Sequence, residues 1–122
     1  MIKVGLLGAG WFGREAHLRN LLKLDGVEVV AVSSRSRESL KAAKALVGDG
    51  LLTFTDWRDV VSLDELDAVI IALTNDQHHA AATAALQAGK HVLCEKPLGF
   101  TIGQCNEIIA ASGEVGKVLQ IG

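Results

Sequence analysis

The sequence predicts an α/β domain built on a doubly wound parallel sheet of strand order 3-2-1-4-5-6. Three observations carry that prediction. Strand-like apolar runs alternate with helical patterns from one end of the chain to the other. The run Asp67-Ala68-Val69-Ile70-Ile71-Ala72-Leu73 is almost continuously apolar, as a strand covered on both faces must be. The first strand pattern, Ile2–Leu7, leads directly into Gly8-Ala9-Gly10-Trp11-Phe12-Gly13, and a helical pattern follows.

In chain order, a first helix is expected over Glu15–Leu24, closed by the turn Asp25-Gly26, and a second strand over Val27–Ser33. Strand, helix and strand so joined form a βαβ unit with a right-handed crossover. A second helix is expected over Arg37–Val47, with Ser36 as cap and Gly48-Asp49-Gly50 as stop. Leu51–Phe54 reads as a short third strand, and Asp56–Val61 as a short helix capped by Thr55 or Asp56. After the fourth strand, Asp67–Leu73, an Ala-rich helix runs from Asp76 to Ala88 and ends at Gly89. Strand five is His91–Glu95, a last helix spans Ile102–Ser112, and Lys117–Ile121 begins a sixth strand.

The glycine spacing is G-x-G-x-x-G, placed between a strand and a helix as a Rossmann-type dinucleotide site requires. Gly8 permits the tight turn, Gly10 the close approach of backbone to a pyrophosphate, and Gly13 close helix–strand packing. Ala9, Trp11 and Phe12 complete a loop whose free N–H groups, at a helix start, receive an anion. In NAD sites an acid stands roughly 20 residues beyond the glycines and holds the ribose hydroxyls. This chain has Ser33-Ser34-Arg35-Ser36-Arg37 there, with no acid before Glu38. Small hydroxyls and guanidinium groups suit a 2′-phosphate, which Arg pairs bidentately. NADP(H) is therefore favoured over NAD(H), with Ser33, Ser34, Arg35 and Arg37 as ligands. The alternatives are that the two arginines face solvent, or that the fingerprint holds FAD.

Composition narrows the classes. The 122 residues suffice for one core, 49% are hydrophobic and 21% charged, and disorder is thereby excluded. A formal net charge of −2 without a basic block gives no nucleic-acid footprint. No apolar run reaches membrane-spanning length, and the expected compartment is the cytoplasm. Cys94 and Cys105 form no C-x-x-C pair, and His78-His79 lacks the i, i+4 spacing of a helical zinc site, so no metal is expected. Cys94 reads as a packed thiol, and His17 and His79 as structural or exposed. His91 has no evident partner.

Two stretches fall at the carboxyl ends of strands four and five, where open α/β sheets bind ligands. In Leu73-Thr74-Asn75-Asp76-Gln77-His78, Asn75 or Asp76 is placed to cap the helix, and His78 either contacts a ligand or faces solvent. In Glu95-Lys96-Pro97, a Lys at a strand end could polarise or deprotonate a substrate hydroxyl, with Pro97, in a cis bond or not, fixing the loop. The bland alternative is a surface turn with an ordinary salt bridge.

Gly8–Gly13, the N-D-x-x-H of Asn75, Asp76 and His78, and above all Ala88-Gly89-Lys90-His91-Val92-Leu93-Cys94-Glu95-Lys96-Pro97-Leu98 resemble the Gfo/Idh/MocA oxidoreductases, the glucose–fructose oxidoreductase and inositol dehydrogenase family. The resemblance covers essentially the whole chain, including Gln120-Ile121-Gly122. It implies a two-domain NAD(P)-dependent enzyme acting on sugars, cyclitols or related polyols, of which residues 1–122 are the nucleotide-binding half. It further implies that Leu73, Thr74, Asn75, His78, Glu95, Lys96 and Pro97 adjoin the cofactor, and that Lys96 also meets substrate. The family's catalytic acid or base, a His or Asp, stands in a second domain that this chain would lack, and full-length members would form homo-oligomers. The family often has Pro before the Asn, where this chain has Thr74. The reading from a second class is a non-catalytic dinucleotide sensor or scaffold.

Overall fold

The computed structural model describes residues 1–122. Strands β1 (Ile2–Leu7), β2 (Val27–Ser33), β3 (Leu52–Phe54), β4 (Ala68–Ile71), β5 (His91–Cys94) and β6 (Leu119–Ile121) form one sheet. Its order is β3-β2-β1-β4-β5-β6, and every neighbouring pair is parallel. The chain thus winds outward from β1 in one direction, returns, and winds outward in the other. That reversal opens a crevice at the carboxyl edge beside β1.

The register makes the edge straight. Phe54, Ser33, Leu7, Ile71, Cys94 and Ile121 stand in one row across the sheet. The residues that follow them, Thr55, Ser34, Gly8, Ala72 and Glu95, therefore come out side by side, although the sequence separates them widely.

The helices are α1, whose π-wound Gly13–Leu18 continues into α-helical Arg19–Leu21, α2 (Arg37–Val47), α3 (Trp57–Val61), α4 (His78–Gln87) and α5 (Ile102–Val115). Successive strand residues point to opposite faces, and the core divides accordingly. Leu6, Val32 and Ile70 pack with Leu18 of α1 and Ala43 of α2. Leu7, Ala31, Ile71 and Cys94 pack with α3, α4 and α5 on the other side. The alanines of α4, among them Ala81, Ala82 and Ala85, are fully buried. Their small side chains let that helix lie close to both the sheet and α5.

Capping explains several boundaries. The Ser39 N–H donates to Ser36 Oγ at the start of α2, at 3.3 Å, and Gly48 ends it with φ +126°. Asp56, not Thr55, caps α3 by accepting from the Arg58 N–H. The Thr101 Oγ1 accepts from the Gln104 N–H at the head of α5, while Gln104 Oε1 accepts from the Phe100 N–H. Neither Asn75 nor Asp76 caps α4, contrary to expectation. The approach is a 3-10 turn, Asn75–Gln77, in which Gln77 Nε2 donates to Thr74 Oγ1. The first helix also begins earlier and ends sooner than its apolar pattern suggested. The Arg14 N–H already donates to the Gly10 carbonyl, and the π-winding is closed by the Arg19 N–H on the Arg14 carbonyl.

Candidate functional site

At the glycine loop, two of the three glycines are explained by the protein itself. Gly8 has φ +99°, and a Cβ there would collide with the Ala72 carbonyl across the β1–β4 edge. A Cβ on Gly13 would collide with the Gly8 carbonyl, so Gly13 closes the turn. Gly10 differs. A Cβ built there meets nothing within 4 Å, so nothing in the fold demands glycine. The N–H groups of Gly8 and Ala9 donate to the Ser33 carbonyl, tying the loop to β2, whereas those of Gly10, Trp11 and Phe12 donate to no backbone carbonyl. The result is a cluster of unspent donors at a helix start, suited to a phosphate. Trp11 and Phe12 stand exposed beside it.

Beyond the ends of β2 and β3 lies a cavity of about 320 Å³ lined by Ser33, Ser34, Arg35 and the segment Thr55–Arg58. Ser33 Oγ is buried there without a hydrogen-bond partner. The Arg58 guanidinium stacks over Trp57, 4.5 Å from the ring centroid, and reaches Asp56 at 3.3 Å. The Arg58 N–H holds the Asp56 carboxyl below the usual carboxylate range; slight desolvation opposes this and the Arg58 guanidinium reinforces it. Arg35 lines this cavity, whereas Arg37 is exposed in the first turn of α2 and lines none. From sequence, Thr55 and Asp56 are cap candidates and Trp57 and Arg58 lie in a short helix, none of them assigned to the site. The signal that could have found them is topological: in this strand order the end of β3 must adjoin the end of β2.

A second cavity, about 330 Å³, lies at the ends of β4 and β5 and is lined by Phe12, Leu73, Asn75, His78, Glu95 and Lys96. A smaller one of about 200 Å³, touching Gly8, Arg35, Leu73 and Thr74, lies between the two. Leu73 borders all three, which form one trough along the carboxyl edge.

Around Lys96 the structure departs from the simplest expectation of a salt-bridged turn. Lys96 is exposed and makes no ion pair, while Glu95 gives its carboxylate to His17 Nε2, at 2.6 Å. His78 is neither solvent-facing nor free. It is 1% exposed, with Nδ1 2.6 Å from the Pro97 carbonyl and Nε2 3.0 Å from the Leu73 carbonyl. The Lys96–Pro97 bond is cis. His91 Nδ1 accepts from the Val118 N–H, and His79 pairs with Glu107 between α4 and α5. Burial, with the Glu95 charge adding, pushes the Cys94 thiol up to about 12, and the thiol is inert packing. No group of His, Cys, Asp or Glu is placed to hold a metal ion, and no helix is long and apolar enough to cross a membrane.

Residues 2–122 match the family model described as an oxidoreductase family with an NAD-binding Rossmann fold. The chain belongs to the Gfo/Idh/MocA family. Among its relatives, inositol 2-dehydrogenase of Klebsiella pneumoniae is 37% identical over 123 residues, covering 99% of this chain and 36% of that protein. Inositol 2-dehydrogenase 1 of Saccharopolyspora erythraea is 38% identical over 119 residues, covering 97% and 35%. The chain therefore spans about a third of the length of these relatives. Among solved structures, a mutant 3-ketoreductase from Actinomadura kijaniata, in complex with TDP-benzene and NADP, superposes with TM-score 0.86 at 29% identity, over 99% of this chain and 38% of that one. Apo scyllo-inositol dehydrogenase from Lactobacillus casei gives 0.89 at 28% identity, over 100% and 36%. The chain is thus an NAD(P)-binding Rossmann domain of this oxidoreductase family.

Proposed function

We propose that this domain serves a hydride transfer between a nicotinamide cofactor and a carbinol carbon of a sugar, cyclitol or related polyol, with NADP(H) favoured over NAD(H). The observation that carries the reading is Gly10: a glycine the fold does not require, among unspent N–H groups, in the loop whose Gly8 and Phe12 border the trough along the carboxyl edge. The group that fits is an extended dinucleotide. Its pyrophosphate would be received by the Gly10, Trp11 and Phe12 amides, and Ser33 Oγ, otherwise orphaned, would find a partner in its ribose or phosphate. Arg35 and Arg58 offer two guanidinium groups to a 2′-phosphate or an adenine face, with Asp56 already engaged by Arg58. When bound, the nicotinamide supplies the hydride chemistry.

The chain's own contribution at the far end of the trough is Lys96, with Asn75 and Phe12 around it. An unpaired lysine there would hydrogen-bond the substrate oxygen and offset charge that develops on it. The polyol class is supported by the names of the relatives, inositol 2-dehydrogenases among them. A second domain carrying the acid or base and the rest of the substrate walls, and homo-oligomers built through it, belong to the same proposal. The test is a hydride-transfer assay on the intact parent with a panel of polyols and both cofactors, wild type against Lys96→Ala. The reading expects turnover with at least one cyclitol or sugar, a loss of kcat on substitution, and unchanged nucleotide affinity. Full kcat in Lys96→Ala would overturn the role given to the lysine.

A further inference from the structure

We propose that His17 and His78 are positioning residues that hold the Glu95-Lys96-Pro97 segment from both sides and so place Lys96 on the wall of the crevice. The inference rests on the proposed role of Lys96 but concerns residues on either side of it. His17 reaches in from α1, the helix that starts at the glycine loop, and binds the Glu95 carboxylate at 2.6 Å. That pair is largely buried, with side-chain exposures of 15% and 19%, and Phe12 packs edge-on against the His17 ring at 5.9 Å. His78 reaches in from α4 and binds the Pro97 carbonyl at 2.6 Å. Its other nitrogen faces the carbonyl of Leu73, the residue common to all three cavities of the trough.

The arrangement has a physical logic. Residues beyond Cys94 have left the sheet, and the N–H of Glu95 on the Ile71 carbonyl is the last ladder bond before the lysine. Proline contributes no N–H, so the Pro97 carbonyl is that residue's means of anchorage by hydrogen bonding. A carbonyl only accepts, and a buried imidazole is a short, stiff donor that can meet it. In its Nδ1–H tautomer the His78 ring thus ties the residue after the lysine to α4. Glu95, paired with His17, is withheld from Lys96, and the ammonium is left without an ion-pair partner of its own. Lys96 itself remains exposed. The residues on either side of it are gripped, which fixes where its side chain leaves the chain.

The experiment measures backbone order parameters at Lys96 and Leu98 by nitrogen relaxation in this chain, for wild type, His78→Leu and His78→Asn. Wild type is expected near the rigid value of about 0.85 at both amides, and His78→Leu below about 0.6. His78→Asn keeps a side-chain N–H close to the Nδ1 position and is expected to restore the order. A role in stability alone would lower Tm without selective loss at these amides and without rescue by Asn. Unchanged order in folded His78→Leu, or equal disorder in the Leu and Asn variants, overturns the proposal. Should His78→Leu not fold, His17→Ala decides the matter: it is expected to lower the order at Lys96, and no change there overturns the clamp. NADPH and NADH titrations of wild type, run on the same samples, separate the two ideas. Failure to bind either cofactor would count against the proposed function and leave the order parameters to judge the clamp.

Discussion

Replacing Gly10 by Ala separates folding from binding at one atom. The structure leaves open space where that Cβ would go, and Gly10 does not have a positive φ. On the folding side, Ala restricts the unfolded chain, which is worth about 0.4–1 kcal/mol in its favour. It is a poorer residue than Gly just ahead of a helix, so the two effects nearly offset and stability should stay within about 0.5 kcal/mol. On the binding side, the methyl occupies the path by which a pyrophosphate reaches the N–H groups. One lost hydrogen bond to a charged group is worth about 1.5–3 kcal/mol, or roughly 10- to 150-fold in Kd. Gly8→Ala is the control. A left-handed backbone costs an L residue about 1–2 kcal/mol and the collision with the Ala72 carbonyl about 1–3 more, so roughly 2–5 kcal/mol of stability should vanish. The assay pairs thermal melts with a tryptophan-fluorescence titration of NADPH, since Trp11 stands exposed at the loop. A Gly10→Ala chain that binds within about threefold of wild type would refute the reasoning. So would one that is destabilised as severely as Gly8→Ala.

Other outcomes follow from single contacts. Arg35→Ala and Arg58→Ala should each weaken NADPH by about tenfold or more while changing NADH much less, because the 2′-phosphate is the group they distinguish; equal losses for both cofactors in competition binding would contradict this. Thr101→Ala removes the side-chain cap of α5 and should cost about 1 kcal/mol, roughly 4 °C in Tm, by calorimetry. Alkylation at pH 8 should modify Cys105 and spare Cys94 until the chain unfolds, a count that mass spectrometry reads directly. The Cys94 thiol is raised from 9.0 to about 12, so the unfolded chain loses that proton first as pH rises. Its contribution to stability is complete below about pH 9 and declines between there and about pH 12; denaturant midpoints for wild type and Cys94→Ala should converge across that window.

The parallel sheet was legible because its strands are short apolar runs bounded by glycines and helical patterns, and such alternation admits few topologies. The glycine loop was legible for the same reason that Gly8 and Gly13 are needed, since the turn itself is sterically demanding. The π-winding of α1 was not, because the apolar spacing of Glu15–Leu24 marks a buried face and not the hydrogen-bond ladder. Asn75 and Asp76 have the residue types of caps, yet they fall within the 3-10 turn before α4, exposed and making no cap bond. Asp56, Trp57 and Arg58 read from sequence only as a cap and a short helix, because their place beside Ser33–Arg35 follows from strand order and from no local pattern. The His17–Glu95 pair spans 78 positions of sequence and no local pattern announces it. The sequence leaves His78 between ligand and solvent, because the two carbonyls beside its ring, on loops after different strands, become neighbours only through the register.

The central claim is that the carboxyl edge of this sheet, from Arg58 through Gly10 to Lys96, is a nicotinamide dinucleotide site that prefers the 2′-phosphate. Calorimetric titration of NADPH and, separately, NADH into the chain tests it most directly. The account predicts saturable binding of both at one site per chain, with NADPH the tighter. Tighter NADH would contradict the roles given to Arg35 and Arg58, and binding of neither would contradict the site itself.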